Sequence, residues 1–113
     1  MKVALEQMDE PVGVVVVIPE GKYLDASHAQ NFKRNMKDIL ENHTQIVCDM
    51  SQLEFVDSAG LGALVSCLRQ LKATGGDLKL CHLAKPVRAL FELVRMHRIF
   101  DIFYTREEAA LAF

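Results

Sequence analysis

The chain lacks tryptophan and has only three cysteines and three prolines among its 113 residues. It also lacks long hydrophobic runs: no uninterrupted apolar stretch is longer than residues 14–18, which is far too short to span a bilayer. No leading segment combines a charged start, an apolar run and a small-residue cleavage site. We therefore expect a cytoplasmic protein without a membrane partner, and buried reduced thiols rather than a disulfide framework.

An excess of charge of either sign is also missing. The chain has 13 Lys and Arg against 15 Asp and Glu, a net charge of −2. Because the basic residues are spread along the sequence, no basic stripe is available for a phosphate backbone, and we expect no direct binding of nucleic acid. The four histidines are scattered, and none pairs with cysteines or carboxylates at metal-ligand spacing. We expect neither a metal nor another cofactor.

Sequence motifs of common enzymes are absent too. A nucleophile elbow requires Gly-x-Ser-x-Gly, but around Ser58 only Gly60 matches, since Val56 occupies the first glycine position. The glycines at 60 and 62 fit neither a phosphate-binding loop ending in Gly-Lys-Ser/Thr nor the Gly-x-Gly-x-x-Gly dinucleotide fingerprint. No acidic cluster follows residues 14–18, as a phosphorylated-aspartate receiver would need. The sequence therefore predicts a protein that is not an enzyme.

What the chain does contain is an alternation of strand and helix patterns. Val3 and Leu5 predict a first strand that pairs as a hairpin with the β-branched run at 12–18. A strand region follows from Ile46 to Val56, and short strands are predicted at 78–83 and 99–103. Helical spacing begins after a Ser27-x-x-Gln30 capping box, at Ser58, at Pro86 and after a Thr105-x-x-Glu108 capping box. We predict a single α/β domain over residues 1–113, with a mixed, mostly parallel sheet, an N-terminal antiparallel hairpin and about four α-helices.

The most informative segment is residues 55–62, Phe-Val-Asp-Ser-Ala-Gly-Leu-Gly. A strand ends here at Asp57-Ser58 and opens into an amphipathic helix, on a loop of the kind that carries function in parallel sheets. Ser58 has two interpretations, because a serine at a helix N-terminus can cap the helix or can carry a phosphate that the N–H groups and the helix dipole favour.

Residues 49–65, which contain Asp-Ser-Ala-Gly-Leu-Gly, resemble the signature of STAS domains of the anti-sigma factor antagonist family. The resemblance extends over nearly the whole chain: Gly21-Lys22-Tyr23-Leu24-Asp25 is similar to the family's turn before its first helix, residues 75–80 to its helix-to-strand turn, and residues 87–103 to its third helix and closing strand. One departure is that Leu93-Val94-Arg95-Met96-His97-Arg98 stands where many relatives close the third helix with a glycine.

The resemblance implies a phosphorylation switch. Ser58 matches the serine that a partner anti-sigma factor serine kinase phosphorylates; the unphosphorylated antagonist binds that kinase and frees a sigma factor or other target. A PP2C-type phosphatase acting on phospho-Ser58 restores binding. The resemblance also admits an alternative, an adaptor that is never phosphorylated and serves a transport ATPase of the ABC class or a signalling scaffold.

The predicted partner-binding surface consists of the turn and its neighbours, namely Asp25, Asp57, Ser58, Ala59, Gly60, Leu61 and Gly62. Several of these residues keep two interpretations. Gly60 and Gly62 fit a close approach of a partner backbone as well as tight internal packing. Leu61 fits the core better than a docking surface, and Asp25 fits a turn or cap role at least as well as partner contact.

Overall fold

The computed structural model describes residues 1–113 and confirms the α/β class. The chain forms seven strands and four α-helices. In chain order these are β1 Lys2–Gln7, β2 Val14–Glu20, β3 Tyr23–Leu24, α1 Ala29–Asn42, β4 Gln45–Asp49, β5 Phe55–Val56, α2 Ser58–Ala73, β6 Asp77–Cys81, α3 Lys85–Leu93, a 3₁₀ turn Met96–Arg98, β7 Ile102–Phe103 and α4 Arg106–Leu111.

The main sheet has five strands in the order β1-β2-β4-β6-β7. Strand β1 is antiparallel to β2, with Leu5 opposite Val17, and the remaining pairs are parallel, with Cys48 opposite Leu80. The predicted N-terminal hairpin and the mostly parallel sheet are therefore confirmed. Right-handed crossovers through helices are the connection that parallel neighbours require, which explains the alternating sequence pattern.

The predicted strand region from Ile46 to Val56 is wrong in one respect, because two separate strands lie there. β4 ends at Asp49, and the backbone turns through Ser51, whose N–H donates to the Asp49 carboxylate over 3.0 Å. β5 then pairs in parallel with β3 in a second, two-stranded sheet that the sequence did not predict. Strands of two residues carry too little periodicity to be read from a pattern.

The main core lies between the large sheet and helices α1, α2 and α3. Its largest fully buried side chains include Phe32, Met36, Leu64, Leu71 and Phe91. The opposite sheet face carries a smaller cluster, on which α4 packs against β4, β6 and β7.

All three cysteines are free and buried, as the sequence predicted. Burial raises the pKa of the Cys67 thiol to about 11 and that of Cys81 to about 12, so both are protonated at neutral pH. These thiols belong to the packed interior and carry no reactive thiolate.

Some of the predicted helix boundaries are confirmed and one is wrong. The Thr105 capping box is confirmed, since its hydroxyl accepts from the Glu108 N–H over 3.1 Å, and Pro86 lies in the first turn of α3. The Ser27-x-x-Gln30 capping box is wrong: the N-cap of α1 is His28, without a side-chain cap, because Asp25 draws the Ser27 hydroxyl into its own turn. Helix α3 ends at Leu93, and the next residue, Val94, is exposed.

One ion pair fastens α4 to the end of β4 and carries a prediction. The Arg106 guanidinium donates to the nearly buried Asp49 carboxylate over 2.7 Å. Burial alone would raise the pKa of Asp49, but the hydrogen bonds from Arg106 and from the Ser51 N–H outweigh it and hold this pKa below its usual value. The stabilisation is therefore present above the unfolded-state pKa of Asp and is lost as pH falls through the lowered native value.

Arg106→Gln is expected to lower the free energy of unfolding at pH 7 by about 2 kcal/mol, because it leaves a buried carboxylate without its cation. Without Arg106 burial dominates and raises the pKa of Asp49, so the deficit against wild type should shrink as pH falls toward 4. Urea unfolding at both pH values checks this. Lys22→Gln, which removes the exposed pair between Lys22 and Glu54, is the control and should change little. An Arg106→Gln deficit that is the same at both pH values would contradict the assignment.

Candidate functional site

Ser58 is the first residue of α2, directly after the short strand β5, and its side chain is exposed. The helix begins where the sequence predicted, and of the two interpretations of Ser58 the structure overturns the helix cap. Asp57 is the N-cap: its backbone is extended, and its carboxylate Oδ1 accepts from the Gly60 N–H over 2.9 Å. The Ser58 hydroxyl makes no hydrogen bond within the chain, so it is free to react or to meet another molecule.

Asp57 also fastens the start of α2 to the loop between β3 and α1. Its second oxygen, Oδ2, accepts from the Ala26 N–H over 3.0 Å, and its own N–H donates to the Leu24 carbonyl over 3.2 Å. Both carboxylate oxygens are thus engaged inside the chain. We call this arrangement of Asp57 with Leu24, Ala26 and Gly60 the Asp57 clamp.

Asp25 orders the loop that the clamp holds. Its Oδ1 accepts from the Ser27 N–H over 3.1 Å and from the Ser27 hydroxyl over 2.7 Å, and it lies 2.8 Å from His28 Nδ1. The Ser27 hydrogen bond leads the effects that hold the pKa of Asp25 below its usual value, so this carboxyl is ionised at neutral pH. Asp25 is linked to Asp57 through the next residue in the chain, Ala26, whose N–H donates to the Asp57 carboxylate.

The two glycines of the motif have different surroundings. A Cβ on Gly60 would lie 2.1 Å from the Leu24 carbonyl oxygen, which is a backbone atom, so Gly60 permits the close packing of α2 on β3. A Cβ on Gly62 would meet nothing within 4 Å, and this residue is exposed. The packing interpretation therefore holds at Gly60, while Gly62 leaves its surface open.

Leu61 and Ala59 lie on the inner side of the helix start. Leu61 is buried in the main core, as the sequence favoured, and Ala59 packs against that core while remaining partly exposed. The structure therefore gathers all seven predicted residues around one turn but exposes them unequally. Ser58 and Gly62 present the open surface.

Two features near this turn were missed in the sequence. Tyr23 and Phe55 are about half exposed and form an edge-to-face pair with ring centroids 6.4 Å apart on the β3–β5 sheet. A groove of about 450 Å³ runs along α2 from Ser58 to Arg69, and Met96 also lines it. The groove could have been predicted from the helical spacing of Ser58, Gly62 and Arg69, which places them along one side of α2. Nothing in the sequence indicates that β3 pairs with β5.

Only one group of three or more side chains brings possible metal ligands together, and Ser58 is not part of it. Ligand atoms of Asp49, Cys81 and His82 lie within 4.8 Å of one another. Both Asp49 oxygens already accept hydrogen bonds, from the Ser51 N–H and from Arg106, so this carboxylate is committed to structural contacts. No helix is both long and apolar enough to cross a membrane.

The strand-to-helix turn and the sheet around it have counterparts among known proteins. The STAS domain family profile matches residues 7–109, which is nearly the entire chain. The chain belongs to the STAS domain family. Asp57 and Ser58 lie within the matched residues, in the segment 49–65 that carries the resemblance in sequence.

Two relatives and one solved structure are similar to this STAS domain over most of its length. BtrV of Bordetella bronchiseptica, a candidate anti-sigma factor antagonist, is 29% identical over 113 residues, covering 100% of this chain and 95% of BtrV. The anti-sigma F factor antagonist of Paenibacillus polymyxa is 27% identical over 107 residues, covering 93% and 90%. The crystal structure of a candidate anti-sigma factor antagonist from Thermotoga maritima superposes with a TM-score of 0.84 at 27% identity, covering 95% and 90%.

The Asp57 clamp carries a prediction for this STAS domain. Asp57→Ala is expected to lower the free energy of unfolding by about 2 kcal/mol, because the helix loses its cap and the Ala26 N–H loses its acceptor. Ser58→Ala is the neighbouring control and should change stability by less than about 0.5 kcal/mol, since its hydroxyl makes no internal hydrogen bond. Urea unfolding of both variants measures the difference, and equal losses would contradict the assignment of the cap.

Proposed function

We propose that this STAS domain is an anti-sigma factor antagonist whose binding is switched at Ser58. The unphosphorylated chain binds an anti-sigma factor serine kinase and so releases the sigma factor or other target that the kinase holds. Phosphorylation of Ser58 ends that binding, and a PP2C-type phosphatase restores it. The observation that carries the proposal is the Ser58 hydroxyl, exposed and without an internal partner at a helix start that Asp57 caps. The two antagonist relatives support the general role.

The position tolerates a phosphate because its surroundings compensate the added charge. A phosphoserine brings about −1.5 to −2 charges at neutral pH. The first-turn N–H groups and the positive end of the α2 dipole favour this charge. Since the cap is on Asp57, modification of Ser58 does not remove a hydrogen bond on which the helix start depends. We expect the fold to change little and the surface to change strongly.

The partner experiences the modification differently. A kinase that has covered an uncharged hydroxyl at Ser58 and the open surface at Gly62 would face a dianion beside the Asp57 carboxylate. Burying such a charge without a matching cation costs several kcal/mol. In this proposal Gly60 and Leu61 act from inside the fold by holding the turn, and Asp25 acts by ordering the loop that Asp57 contacts.

The proposal makes the chain a substrate and not an enzyme. The kinase transfers the γ-phosphoryl group of ATP to Ser58 Oγ, which loses its proton, and ADP leaves. The phosphatase later uses water to return the hydroxyl and release inorganic phosphate. No basic side chain of this chain hydrogen-bonds the Ser58 hydroxyl, and both Asp57 oxygens accept backbone N–H groups, so proton removal falls to the kinase.

The test is phosphate transfer to Ser58. The protein is incubated with candidate anti-sigma kinases and ATP, and tandem mass spectrometry locates the modification. We expect one phosphate, on Ser58, and none on the Ser58→Ala variant. Ser66, a partly buried serine on the same helix, should stay unmodified and serves as an internal control. A kinase that binds the chain tightly but leaves Ser58 unmodified would contradict the switch and favour the adaptor alternative.

A further inference from the structure

The fold gathers cations that are spread along the sequence. Helix α2 has no acidic residue from Ser58 to Ala73, and residues 93–100 have none either. Several exposed cations form no ion pair with any other residue: Lys33, Arg34 and Lys37 on α1, Arg69 on α2, and Arg95 and Arg98 beyond α3. Four of these cations, Lys33, Arg34, Lys37 and Arg69, line two grooves of a chain whose net charge is −2.

Two grooves flank the exposed side of α2 on this surface. The first, of about 330 Å³, lies between α1 and α2, and Lys33, Arg34 and Lys37 line it together with two apolar side chains, Leu40 and Cys67. The second is the groove that starts at Ser58 and passes Arg69. Ser66 lines both grooves, so they are neighbours on either side of this residue, and we call their combined lining the basic face. Glu41 is the single acidic residue that lines it.

We infer that the basic face docks an acidic amphipathic helix of the partner protein, with carboxylates around an apolar strip. The apolar side chains in the grooves, such as Leu61 and Val65, and the stems of the long basic side chains suit such a strip, and the unpaired cations suit the carboxylates. The inference rests on the proposed function, since the partner is the kinase that acts on Ser58. Because Ser58 lies at one end of the basic face, a phosphate there would repel the same acidic segment, which adds a cause of release to the desolvation described above.

The test uses defined peptides, so its outcome does not depend on finding the kinase. The probe is a synthetic amphipathic helix with a leucine strip and glutamate flanks, and the matched peptide has glutamine in place of glutamate. Titration calorimetry should give an affinity at least about tenfold higher for the glutamate peptide, decreasing as salt is raised. Amide NMR shifts should map to residues 33–37 and 66–70. Equal affinities, or shifts confined to another surface, would overturn the inference.

Charge reversal separates local docking from general attraction. Lys33→Glu combined with Lys37→Glu should weaken the glutamate peptide at least about tenfold. The matched control combines Lys2→Glu with Lys85→Glu, two exposed and unpaired lysines that line neither groove, and should leave the affinity nearly unchanged. Equal weakening by both pairs, or tighter binding of a single-stranded oligonucleotide than of the glutamate peptide, would overturn the inference. The Ser58→Ala variant should bind the peptide like wild type, so a failure of the phosphorylation test remains distinguishable from a failure here.

Discussion

Gly60→Ala is expected to destabilise the protein by at least about 3 kcal/mol, the largest effect on stability that the site predicts. The new methyl group would lie 2.1 Å from the Leu24 carbonyl oxygen and 2.9 Å from its carbon, both backbone atoms that cannot move aside cheaply. Helix α2 would have to shift away from β3, which would also lengthen the hydrogen bonds of the Asp57 clamp. Urea unfolding measures the loss.

Gly62→Ala is the matched control, two residues further along the same helix. Its methyl group would meet nothing within 4 Å, and alanine favours a helix over glycine, so we expect a gain of about 0.5–1 kcal/mol. If Gly60→Ala proved as harmless as Gly62→Ala, the close packing of α2 on β3 would be wrong.

Under the proposed function, Ser58→Asp is expected to weaken binding to the kinase by at least about tenfold, because it places a carboxylate on the surface that the kinase is proposed to cover. Ser58→Ala should bind within about twofold of wild type when ATP is absent. With ATP present, the wild-type complex should dissociate as Ser58 is phosphorylated, whereas the Ser58→Ala complex should persist. Surface plasmon resonance with immobilised kinase measures all three proteins under both conditions.

Both variants should keep the wild-type fold, because the Ser58 side chain is exposed and makes no internal hydrogen bond. Their unfolding curves serve as the control for the binding data. A Ser58→Asp protein that is well folded and binds the kinase as tightly as wild type would contradict a charge-based release.

The α/β class, the N-terminal hairpin and the start of α2 at Ser58 could be predicted because periodic apolar spacing and turn residues are local signals. The cap could not. Asp and Ser are both good N-cap residues and stand side by side, so sequence alone does not choose between them. The choice is made by the contact of Asp57 with Ala26, which is 31 positions away in the chain.

The two glycines show the same limit. Gly60 and Gly62 are indistinguishable in the sequence, and only the position of Leu24 across the β3–β5 sheet makes one a packing requirement and the other an open surface. The sequence shows that no glycine follows α3, where many relatives have one. It does not show which residue takes the backbone conformation of that glycine. Arg95 takes the left-handed conformation itself, with φ 61°, at a cost of about 1 kcal/mol that a glycine would avoid.

The most direct measurement of the switch is the affinity of one protein sample for its kinase through a full cycle of modification. Titration calorimetry compares the unmodified protein, the same protein after complete phosphorylation of Ser58, and that protein after treatment with a PP2C-type phosphatase. We predict that phosphorylation weakens binding by about a hundredfold, or ~2.7 kcal/mol, and that the phosphatase restores the original affinity. An affinity that stays the same through the three stages would contradict the proposed switch.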